Sequence, residues 1–149
     1  MDNGETFAPL PPDATSAPLS GLVSVAFDPN FSHNRIVYAT SATANKGIYR
    51  FTVGTSSEWE SIDSTLPSGS TLNGLIVTAS GTLYASNSKA DSGMERSLNP
   101  AYSLGPTFET VTHGLSDNAT LSGLWSHSHQ LWSIDTTHAE LLTFDDSLT

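Results

Sequence analysis

Cysteine is missing altogether, which excludes disulfides, zinc–thiolate sites and thiol nucleophiles. Basic residues are scarce: 5 Lys and Arg stand against 15 Asp and Glu, for a formal charge of −10. That sign argues against nucleic acid or anionic lipid as the main partner. No apolar run approaches the roughly 18 residues of a spanning helix. The opening residues do not read as a basic-then-apolar export signal. Charged residues make up only 13% of the chain, about half the roughly 25% of an ordinary domain. No phosphate-binding loop or Gly-x-Ser-x-Gly elbow occurs.

What is present points to strands. Strong helix formers are thin, while β-branched and aromatic residues fall in short clusters. The 149 residues suffice for one domain with a buried core. Ser and Thr supply about a quarter of the chain. A low-charge, Ser/Thr-rich, cysteine-free chain reads as exported, so an extracellular or cell-surface location is expected.

The chain repeats itself. Leu22–Phe27, Leu72–Val77 and Leu121–Trp125 align as one kind of run. Ile36–Ser41, Thr82–Asn87 and Gln130–Ile134 follow as a second kind, and Gly47–Phe51, Gly93–Leu98 and Ala139–Phe144 as a third. A fourth kind comprises Trp59–Ile62, Phe108–Val111 and, at the start of the chain, Phe7–Leu10. Gly, Asn, Asp, Ser and Pro clusters separate the runs. Four strands to a unit, recurring every 40–50 residues, is the pattern of a β-propeller blade. The competing reading is a β-sandwich of a dozen short strands, which would not require the strand kinds to recur in order. The expected fold is therefore all-β, with about three four-stranded blades, half of a six-bladed ring.

Asp2-Asn-Gly-Glu-Thr-Phe7 resembles the second half of an Asp-box, the Ser-x-Asp-x-Gly-x-Thr-Trp hairpin of BNR (sialidase-type) and sortilin-like propellers. Asp2, Gly4, Thr6 and Phe7 take the Asp, Gly, Thr and aromatic places. The other copies are worn: Ser103 and Gly105 precede Phe108, and Gly54 and Ser56 precede Trp59. The resemblance implies a box between the third and fourth strands of a blade, with a structural role. A short carboxylate accepts backbone N–H bonds in a tight turn, and glycine permits positive φ.

The ends carry the assembly argument. Residues 1–18 read as a lone outer strand and a connector stiffened by Pro9, Pro11, Pro12 and Pro18. Residues 19–67 and 70–114 read as complete blades, and 120–149 as a blade lacking its last strand. Three blades are too few to close a ring, and an open edge invites pairing. The expected partner is a second copy, each chain lending its first strand to the other's last blade. The alternatives are an excerpt of a longer propeller and an open-ended filament.

Catalytic signals are weak, and a non-catalytic module with no cofactor is expected. His127 and His129, two apart on a strand, would share a face and chelate a metal, with His113, Asp135 and His138 as further donors. The competing reading makes them exposed turn histidines. The resemblance implies an arginine triad in a glycan-acting relative, yet the chain has only Arg35, Arg50 and Arg96. Arg50 and Arg96 occupy the same third-strand position, so they recur with the fold. Glu95 and Glu109 define no carboxylate pair. A fragment of a sialidase-like enzyme, with its catalytic residues elsewhere, is the alternative. Trp59, Trp125 and Trp132 suit sugar stacking or, within strands, core packing. A small molecule, a glycan or a protein remains open as the ligand.

Overall fold

A computed structural model describes residues 22–41 and 47–145, whose regular structure is almost entirely β. Eleven strands form three antiparallel sheets in chain order. The first sheet holds β1 (Leu22–Phe27), β2 (Ile36–Ser41), β3 (Ile48–Thr52) and β4 (Glu60–Ser61). The second holds β5 (Leu72–Val77), β6 (Leu83–Asn87), β7 (Met94–Ser97) and β8 (Glu109–Val111). The third holds β9 (Leu121–His127), β10 (Gln130–Asp135) and β11 (Glu140–Asp145). Each sheet is a meander, every strand pairing with its sequence neighbour. β5 lies against both β1 and β9, so the first strands of successive sheets pack side by side. The expected Asp2, Gly4, Thr6 and Phe7 turn, with the rest of 1–18, lies outside the described residues.

Register partners direct their side chains to one face, which gives each sheet two distinct faces. Ala26, Tyr38 and Arg50 are partners across β1–β3, and Ile76, Tyr84 and Arg96 across β5–β7. This forward face packs on the next sheet. Tyr38, Ile48 and Ile62 of the first sheet form one core with Leu75, Leu83 and Ala85 of the second. Tyr84 and Met94 of the second form another with Leu124 and Leu131 of the third. Burial at these two junctions, at about 25 cal/mol per Å² of apolar area, holds the stack together.

Polar devices recur with the repeat. Asn87 Oδ1 accepts the Thr71 and Lys89 N–H groups, and Asp135 Oδ1 those of Thr120 and Thr137. Each ties the end of a second strand to the start of the first strand beside it. Asn73, at a bulge in β5, crosses between sheets: its Nδ2 donates to Leu121 O at 2.8 Å and its Oδ1 accepts from Gly123 N at 2.8 Å. Gly74 permits that approach, since a Cβ there would stand 2.7 Å from Leu124 N. The first repeat departs from the others. Between β1 and β2 a one-turn helix α1 (Phe31–Asn34) forms. Asp28 organises it, accepting from Asn30 N, Asn34 Nδ2 and Tyr38 OH.

The strand argument for metal binding at His127 and His129 needs correction. β9 ends at His127, and Ser128 (φ 48°) and His129 (φ 67°) are the turn into β10. A two-residue turn with both φ values positive reverses the chain, so strand alternation does not place the two imidazoles on one face. Both residues are exposed.

Candidate functional site

The arginines form ion pairs built into the repeat. Arg50 and Glu60 are register partners with Nη2–Oε2 at 2.9 Å, and Arg96 and Glu109 are partners with Nη2–Oε1 at 2.7 Å. Arg50 also crosses to the second sheet, its Nη1 donating to Pro100 O at 2.8 Å and Tyr102 O at 2.9 Å. Arg35 stands apart, against the Phe31 ring. The three guanidinium groups therefore do not share one pocket. Glu95 is fully buried, with Oε1 accepting from Asn87 and Oε2 from Thr110. Burial pushes its carboxyl above the ordinary value, against the lowering effect of those hydrogen bonds and of the Lys89 charge.

Among the histidines, His138 is the one bonded to a carboxylate. Its Nδ1 lies 2.6 Å from Asp135 Oδ2. Burial opposes ionisation of Asp135, yet the His138 bond and the Thr120, His138 and Thr137 backbone N–H groups hold its carboxyl below the usual value. Among the described residues, no three His, Asp or Glu side chains gather as a metal site. His127 and His129 instead line an open groove with Thr78 and Ser80, between the β5–β6 and β9–β10 turns.

Among the described residues the third sheet has three strands where the other two have four. Among the described residues β11 pairs with β10 alone, whereas the corresponding strands β3 and β7 each have a fourth strand beyond them. Its forward face exposes Trp125 (52%), Ile134 (40%) and Leu141 (63%). Their register counterparts in the earlier sheets include Ile48 and Met94, at 0% and 5%. Core packing thus fails as the reading of Trp125, because no described sheet follows to cover it. At the opposite end of the stack, Val25 and Phe27 are exposed on the backward face of β1, although the counterparts of Val25, Leu75 and Leu124, are buried. Between the second and third sheets runs an apolar cleft of about 90 Å³, lined by Val111, His113, Leu115, Leu142 and Phe144 among others.

Three solved structures resemble this arrangement. The extracellular domain of the putative one-component system BT4673 from B. thetaiotaomicron matches 84% of this chain at 11% identity and a TM-score of 0.51. A second structure of the BT4673 extracellular domain, described as a putative hybrid two-component system, gives 84%, 11% and 0.50. This chain spans 17% of the length of each. The computationally designed Ika4 protein matches 83% of this chain and 90% of its own, at 8% identity and a TM-score of 0.46. The two BT4673 matches are likenesses of fold alone. No protein-family model matches the chain, and no curated protein matches it. Among the described residues, no helix is long and apolar enough to cross a membrane.

Proposed function

We propose that the chain is a non-catalytic β-propeller module, three blades long, that pairs with a second copy into a six-bladed ring. Each copy lends its N-terminal strand to the third sheet of the other. The observation that carries this reading is the pair of apolar faces at the two ends of the stack. Leu141, Ile134 and Trp125 form one face, and Val25 and Phe27 the other, at positions corresponding to contacts between successive sheets. Two different faces meeting head to tail close a ring when the rotation permits, and two such contacts complete it. The ring would present a face or channel to a small molecule, glycan or protein. Its setting would be outside the cell, in keeping with the composition and with the extracellular origin of the BT4673 domains.

The test is molar mass by light scattering, with Leu141→Asp as the disrupting variant. The wild-type chain runs as a dimer, and the variant, changed at an exposed site, dissociates while keeping its β circular dichroism. A wild-type monomer at high concentration would sink the dimer. The small share of the BT4673 domain that this chain spans favours a second reading, in which these sheets belong to a longer propeller. A monomer that becomes a stable ring on adding further repeats would support it.

A further inference from the structure

We infer that the strand completing the third sheet enters in one register, with Ala8 opposite Thr143, so that Phe7 fills the cleft between the second and third sheets and the chain start reaches Arg96. This rests on the pairing proposed above and specifies which side chains anchor it.

The first junction supplies the template. Phe108, just before β8, packs on the core between the first and second sheets, and its N–H donates to Thr65 Oγ1 at 2.8 Å. The loop ahead of it supplies the Pro100 and Tyr102 carbonyls that hold Arg50. One repeat further on, Leu66 becomes Leu115, since each packs against the core of its own junction. Thr65 then becomes Gly114. His113, Gly114 and Leu115 line the apolar cleft, which therefore lies where the counterpart of Phe108 would pack. That counterpart is Phe7. Arg96 correspondingly lines a recess with Leu98, Asn99 and Thr107. Counting back from Phe7, Tyr102 falls on Met1, which brings the Met1 carbonyl to the Arg96 cation.

Two features of the sequence agree with this register. The ion pair is dropped from both strands together: Arg50 and Arg96 correspond to Thr143, and Glu60 and Glu109 to Ala8. Neither of these two facing positions is left with a lone charge. Pro9 then corresponds to Ser61. Ile62 N–H donates to Ile48 O, and ladder bonds alternate along a strand, so the N–H at the Ser61 place points away from the sheet. Proline, which has no N–H, is accepted at just such edge positions. A slip by one residue would put it where a ladder donor is required.

Because the chain has no cysteine, paired substitutions report the register directly. Opposed residues in an antiparallel ladder stand about 5.5 Å apart at Cα, within disulfide range. In the full-length chain, A8C with T143C should oxidise to a covalent dimer on a non-reducing gel, while T6C with T143C and A8C with L141C should not. Failure of the first pair, or equal reaction of the shifted pairs, overturns the register, while the measured molar mass still judges the pairing of copies. Rapid cross-linking within a monomer upholds the register and overturns the second copy as donor. Independently, Phe7→Ala should weaken dimerisation by about tenfold or more, and unchanged affinity would remove Phe7 as the anchor.

Discussion

Single residues on the forward and backward faces show how costly the sheet junctions are to build. Thr40 places a fully buried hydroxyl on the forward face of the first sheet, with no hydrogen-bond partner among the described residues. Glu95 is the larger burden. Its carboxyl is raised by burial, so between its ordinary value of 4.5 and its value in the fold the native state holds more protons than the unfolded state. Stability must therefore fall as pH rises through that window. Glu95→Gln removes the titration, and the amide keeps an acceptor for Asn87 and offers a donor to the Thr110 hydroxyl. The variant should lose less stability than the wild type as pH rises above 4.5 through the wild-type value in the fold, read from urea unfolding at each pH. Asp135 acts in the opposite direction. Its lowered carboxyl contributes stability above its ordinary 3.8, which is lost as pH falls through the value in the fold.

Strands and loops are joined by arginine in two unequal ways. Arg50 is 5% exposed and bonds both to its own sheet and to the loop of the next, whereas among the described residues Arg96 answers to Glu109 and Tyr84 in its own sheet. Glu60 and Glu109 are both more than half exposed, so water screens each ion pair. The difference lies in the carbonyls. Arg50→Ala should cost about 1.5–3 kcal/mol, the range for hydrogen bonds to a charged group. Arg96→Ala should cost about 1 kcal/mol or less. Both are to be measured by urea unfolding in the Leu141→Asp background, where pairing of copies does not contribute. Equal losses would mean that the contact between Arg50 and the loop adds nothing.

For the whole molecule, the decisive property is that, among the described residues, both ends of the stack expose apolar faces. If assembly buries the Leu141 and Val25 faces, folding is linked to concentration by mass action. The wild-type Tm should rise with protein concentration, and that of the Leu141→Asp variant should not, as differential scanning fluorimetry over about a hundredfold range would read. A concentration-independent wild-type Tm would leave the exposed faces without a partner of the same kind.

The sequence by itself determined the order and kind of the strands. Leu72–Val77, Ile36–Ser41 and the matching starts at Leu22 and Leu121 fall where the repeat placed them, because alternation and Gly- or Asn-bearing turns are local signals. It also marked Arg50 and Arg96 as equivalent. Tertiary structure decided what no local pattern carries. It exposed Trp125, bridged Arg50 to Pro100 and Tyr102, and buried Glu95 between sheets. Each of these depends on which sheet stands opposite, a relation between residues some fifty positions apart that strand periodicity does not encode.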